Sequence, residues 1–139
     1  MNSIQKKKLK KAAAEAVKRE THEIDLSGVV LGRAATDVAL LLSGKRKVGY
    51  VWHIDAGDKV KAYNLKKIAF TGKNKPQKKM YYRYTGYPGG IKEASLAELF
   101  EKNPQKVFWN AVYGMLPKNK LRSLMIKRLE IIEGELPKA

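Results

Sequence analysis

Cysteine is absent from all 139 residues. That excludes a disulfide framework, a zinc finger or ribbon and a thiol nucleophile, and it suits a reducing compartment. Histidine is scarce: His22 and His53 are the only imidazoles, which argues against a zinc site of the usual kind, and neither stands at a position that marks a Ser-His-Asp triad. No apolar run approaches the roughly 18 residues that span a bilayer. The N-terminal lysines are followed by Lys10, Lys11, Glu15, Lys18 and Arg19 where a signal peptide would turn apolar. A soluble, cytoplasmic chain with no membrane partner is expected. Acidic residues are also few, thirteen Asp and Glu against 29 Lys and Arg, for a formal net charge of +16. Self-repulsion on that scale disfavours a compact state unless a polyanion neutralises it.

The charge is concentrated. From Lys59 to Arg83 there are nine Lys and Arg residues and no Asp or Glu, and the stretch runs into Tyr84-Thr85-Gly86-Tyr87-Pro88-Gly89-Gly90. Cations joined to an aromatic, glycine-rich loop can hold a polyanion's backbone and lie against its bases or sugars. Nucleic acid is the first partner to consider. With 44% hydrophobic residues and an ordinary domain length, the chain can still bury a real core.

Two regions are expected. Residues 1 to 20 carry seven basic and two acidic residues around Ala12, Ala13, Ala14 and Ala16, a thin apolar stripe. They read as a basic extension, either a solvated tail or a segment that becomes helical on RNA. Residues 21 to 139 form one domain. A strand is predicted at Thr21 to Leu26, broken by Ser27-Gly28. A helix follows from Leu31 to Leu42, with Leu31, Ala34, Ala35, Val38, Leu41 and Leu42 at helical spacing and Gly44 as its stop. Further strands are predicted at Val48 to Ile54, Lys59 to Tyr63 and Ile68 to Thr71. Lys73 to Lys79, centred on Pro76, reads as a projecting basic loop, with an extended Met80 to Tyr84 beyond it. Ser95 and Glu98 form a capping-box pattern for a helix Leu96 to Glu101. Pro104 opens another helix, with Val107, Phe108, Ala111, Val112 and Met115 on one side. An amphipathic segment Leu121 to Leu129 and a short strand Glu130 to Ile132 complete the pattern. Strands alternating with helices favour an α/β layered sandwich around a mostly parallel, about four-stranded sheet.

Enzymatic chemistry finds little support. Gly86, Gly89 and Gly90 match neither a P-loop nor a dinucleotide fingerprint; they suit a tight turn, which is compatible with RNA contact through Tyr82, Tyr84 and Tyr87. Asp25, Asp55 and Asp58 are the only carboxylates that could cluster on a divalent metal, but Asp55 and Asp58 flank Gly57 as turn formers. His53 reads as a half-buried structural residue. Lys45-Arg46-Lys47 is either a solvated helix cap or a phosphate contact.

Three segments together resemble one family, the universal L-thirteen family of large-subunit ribosomal proteins. They are Leu31-Gly32-Arg33-Ala34-Ala35-Thr36, then Asp55-Ala56-Gly57-Asp58 with Thr71-Gly72 and Thr85-Gly86-Tyr87-Pro88-Gly89-Gly90, and finally Gly114-Met115-Leu116-Pro117-Lys118. The likeness runs over about Ile24 to Ile132. It implies a four-stranded, largely parallel α/β fold and a non-enzymatic role in the large subunit, without cofactor, metal or small-molecule substrate. The implied partners are large-subunit ribosomal RNA and neighbouring ribosomal proteins. Carried over, the motifs point to Arg33, Thr85, Gly86 and Lys118 as RNA-facing positions. Three departures stand out: Tyr84 takes a place where histidine is frequent, Leu121 meets Arg122 with no glycine between, and the usual His-Pro-His tail does not occur. Adding the cations and aromatics above, the predicted RNA-binding set is Arg33, Lys45, Arg46, Lys47, Lys73, Lys75, Lys78, Lys79, Tyr82, Arg83, Tyr84, Thr85, Gly86, Tyr87, Lys118, Lys120, Arg122 and Lys127. The rival readings are a regulatory RNA binder outside the ribosome and an RNA-processing enzyme.

Overall fold

A computed structural model describes residues 2–5 and 18–135. The expectations for the middle of the N-terminal extension lie outside the described residues. The chain forms β1 (Thr21–Asp25), α1 (Leu31–Ser43), β2 (Lys59–Tyr63), a 3-10 turn (Leu65–Lys67), α2 (Lys75–Lys78), β3 (Met80–Tyr84), β4 (Ile91–Ser95), α3 (Leu96–Lys102), α4 (Pro104–Met115), α5 (Arg122–Ile126) and β5 (Leu129–Ile131). The α/β architecture is as predicted, and its main sheet is parallel, in the order β1-β2-β5. None of the described helices is long and apolar enough to cross a membrane.

Helix α1 forms because its apolar residues recur at a helical period. Ala35, Val38 and Leu42 are fully buried, and Gly44 closes the helix at φ +77°, a left-handed conformation open to glycine at little cost. Ser95 caps α3 with the reciprocal Glu98 bond the spacing predicted. Asn103 caps α4 by accepting from the Lys106 amide, with Pro104 in the first turn. Helices α1 and α4 pack together, and Val107, Phe108 and Val112 are fully buried with Leu26, Val60, Ala62 and Leu65. Phe108 faces the core while its neighbour Trp109 stays 38% exposed, the division expected of adjacent helical residues.

Several predicted elements differ. The fourth parallel strand, Ile68 to Thr71, is reduced to one bridge, Val30 to Ala69, so the sheet has three strands. Val48 to Ile54 is a run of turns, because Lys47, Tyr50 and Ile54 each donate backbone bonds three residues back. β1 and β5 already occupy both edges of β2. Val48 and Trp52 are exposed, and His53 is exposed with its ring 5.6 Å from that of Trp52. Leu121 to Leu129 shortens to the one-turn α5, and the last strand begins one residue early. An unforeseen strand, β4, pairs antiparallel with β3 to make a hairpin separate from the main sheet.

Asp55 and Asp58 are not turn formers bonded to nearby backbone. Arg128 meets Asp55 through both guanidinium nitrogens, at 2.5 and 2.6 Å, and also donates to the Leu42 carbonyl at 3.0 Å. The buried Asp58 accepts from Lys47 Nζ at 2.5 Å and from the Glu20 amide at 3.0 Å, with His22 Nε2 at 3.2 Å. Between them Gly57 lies so close to α1 that a Cβ there would fall 1.7 Å from the Leu42 carbonyl oxygen. Two carboxylates and their cations thus fasten the end of α1 to the start of β2 and β5.

Candidate nucleic-acid interface

The acid-free stretch begins in the core as β2 and ends in an arm. Gly72, at φ +103°, and Asn74, at φ +55°, turn the chain into α2, which packs beside α3, and Pro76 fits the first turn of this single turn found where a loop was predicted. Lys73, Lys75, Lys78 and Lys79 are all exposed. None of the four pairs with a carboxylate among the described residues; Lys79 Nζ lies 5.4 Å from the centre of the Tyr81 ring.

The β3–β4 hairpin continues the arm. Side chains alternate along a strand, so Tyr82 and Tyr84 share one face with their cross-strand partners Glu93 and Ile91. Both tyrosines are more than 60% exposed. The opposite face sets Arg83 directly against Lys92. Like charges across a strand pair are destabilising, so an anion lying between them relieves a repulsion built into the hairpin. Lys92 escaped the sequence reading because its role depends on β4.

At the tip, the Thr85 amide and hydroxyl both donate to the Gly90 carbonyl, at 2.9 and 2.8 Å, and the Gly90 amide donates to Tyr87. A Cβ on Gly90 would fall 2.0 Å from Thr85 Oγ1, while Gly86 and Gly89 have φ of +91° and +71°. These glycines make a tight turn that leaves Tyr87 75% exposed.

The base of the arm meets the α1–α4 seam. Lys75 and Lys79 border a recess with Gly32, Thr71, Gly114 and Met115. Met115 also borders a shallower recess with Thr36, Lys45 and Pro117. The seam therefore links the arm's lysines to Lys45 and the exposed Lys118 and Lys120, with Arg33 exposed on α1 beside it. Lys127 is exposed in a separate group with Lys59 and Lys61.

Three predicted cations have internal partners. Lys47 is held by Asp58 and the Lys18 carbonyl, and is removed from the exposed set. Arg122 is removed likewise: it donates to the Tyr113 carbonyl from Nε, at 2.9 Å, and from Nη2, and its guanidinium lies 3.6 Å from the Tyr113 ring centre. Arg46 pairs with Asp37 at 3.1 Å, but both are more than half exposed and the pair is easily exchanged. Among the described residues no three His, Asp or Glu side chains converge as a metal site.

The family model described as ribosomal protein L13 matches residues 19–137. A large ribosomal subunit protein uL13 from Alcanivorax borkumensis is 46% identical over 123 residues, covering 88% of this chain and 86% of the relative. Its counterpart from Kocuria rhizophila is 49% identical over 118 residues, covering 85% and 80%. One from Thermoanaerobacter pseudethanolicus is 49% identical over 123 residues, covering 88% and 85%. The matched span takes in the ion-paired core, the arm and the hairpin alike, and on this ground the chain belongs to the ribosomal protein L13 family, whose members are structural proteins and not enzymes.

Proposed function

We propose that the chain is a constituent of the cytoplasmic large ribosomal subunit that binds large-subunit ribosomal RNA and supports early assembly. The observation that carries the binding reading is the arm: exposed lysines without a carboxylate partner among the described residues, a repulsive Arg83–Lys92 pair and three exposed tyrosines on one unit. Lysines provide sequence-independent attraction to phosphate, and the tyrosine rings offer faces for unstacked bases. The exposed RNA-facing set is Arg33, Lys45, Arg46, Lys73, Lys75, Lys78, Lys79, Tyr82, Arg83, Tyr84, Tyr87, Lys92, Lys118, Lys120 and Lys127, with Thr85 and Gly86 shaping the hairpin tip. Residues 1 to 20 act as a basic extension of the single domain that follows, adding contacts to RNA, and neighbouring large-subunit proteins complete the surroundings.

Co-sedimentation tests the reading. The purified protein should pellet with large subunits lacking their own copy and remain with them at moderate salt. Failure to pellet, with binding to unrelated RNA intact, would place its work outside the ribosome.

A further inference from the structure

On a flank of α4 beside its core face, Trp109 stacks on Tyr113, one helical turn later, with ring centres 4.7 Å apart and planes within 10°. The Arg122 guanidinium lies 3.6 Å from the Tyr113 ring centre. Two groups that close cannot share one face, so the tyrosine is sandwiched, and Arg122 is itself fixed by its bonds to the Tyr113 carbonyl. The result is a three-layer stack ending in an indole. Its free face is the one turned from Tyr113, toward the start of α4. There a recess of about 400 Å3 opens, bordered by Trp109, Asn103, Gln105, Lys106, Leu129 and Ile131.

We propose that this free face of Trp109 seats one unpaired nucleobase of RNA, with Lys106 taking a flanking phosphate. The inference rests on the RNA-binding reading and adds a site apart from the arm. A planar aromatic face suits a base, and indole offers the largest such face among side chains. The Gln105 amide can donate and accept at a base edge. Asn103 Oδ1 is occupied by the Lys106 amide at 3.0 Å, which leaves the Asn103 amide hydrogens available. Among the described residues no carboxylate borders the recess, while Lys106 does, which suits an anionic ligand. The stack is held before any ligand arrives, so little ordering cost attends binding. An extended peptide laid along the edge of β5 is the competing occupant.

Fluorescence gives the test. In a Trp52→Phe variant, Trp109 is the sole tryptophan. Hexaadenylate should quench its emission on binding, whereas inorganic polyphosphate should bind without quenching, because it brings charge and no ring. Trp109→Leu should weaken hexaadenylate binding about 5- to 150-fold, the range for loss of one stacked base, and Trp109→Phe should recover part of that loss. Hexaadenylate binding, followed by anisotropy of a labelled strand, with unchanged Trp109 emission would overturn the seat and leave the RNA reading standing. No binding of either hexaadenylate or large-subunit RNA would overturn the RNA reading, and the seat with it.

Discussion

Asp58 shows how single residues hold this molecule together. Burial alone would raise its carboxyl, but bonds from Lys47, the Glu20 amide and His22 outweigh that and hold it below the ordinary aspartate value. A depressed folded-state value stabilises the fold above the unfolded pKa of about 3.9, and that contribution is lost as pH falls through the folded value. Urea midpoints of the parent and Asp58→Asn should therefore differ most near neutrality and converge below about pH 4. Some acid sensitivity should persist in the variant, since bonds from Asn64 and the Ser27 amide also hold Asp25 low. The neighbouring Asp55–Arg128 pair is nearly buried, with both side chains 11% exposed. Removing one member of such a pair costs up to about 3–5 kcal/mol where the other is left charged and unpartnered; Arg19, 3.7 Å from the Asp55 carboxylate, remains as a weaker partner and reduces the cost of losing Arg128. Arg128→Met should lower stability by an amount toward the lower end of that range, and adding Asp55→Asn should restore part of it, as a double-mutant cycle in denaturant would show. Neither contact was legible in the sequence. The partners lie 73 residues apart, and Asp-Ala-Gly-Asp has the local chemistry of a turn, which masked its tertiary role.

Elements were legible where their signals are local. The helical repeat of α1, its Gly44 stop and the Ser95–Glu98 box are written in consecutive residues, and the structure places them as predicted. β4 was not, because Ile91-Lys92-Glu93-Ala94-Ser95 lacks an apolar alternation and becomes a strand only through pairing with β3. Ile68 to Thr71 has the composition of a strand, yet at Ala69 it forms only a bridge to Val30. The arm was legible in composition but not in shape: the cations and tyrosines were evident, the hairpin that sets Arg83 against Lys92 was not. Because all four of the arm's lysines are exposed, reversing charge at Lys73, Lys75, Lys78 and Lys79 together should weaken RNA binding while moving the thermal midpoint little. Parallel measurement of RNA affinity and melting checks this, and equal losses in both would show that the arm is packed.

For the whole molecule the dominant property is charge, and composition alone disclosed it. If roughly eight phosphates are neutralised, log K for RNA against log salt should slope at about −6 to −7, measurable by titration at several salt concentrations; a slope near zero would remove the electrostatic account. The architecture also follows a long-range order that composition does not disclose. β2 lies between β1 and β5, from opposite ends of the domain, and Arg128 stands just before β5. During synthesis, then, a nascent chain that has already made α1, β2 and the arm still has a bare strand edge, and its Asp55 carboxylate still lacks the two-point bond from Arg128. The central sheet can close only when nearly all of the domain is made, so its contact order is high and folding is slow and late. The arm's hairpin pairs only with itself, so it needs nothing from β5 to form, and RNA can meet it before the rest of the protein has finished folding.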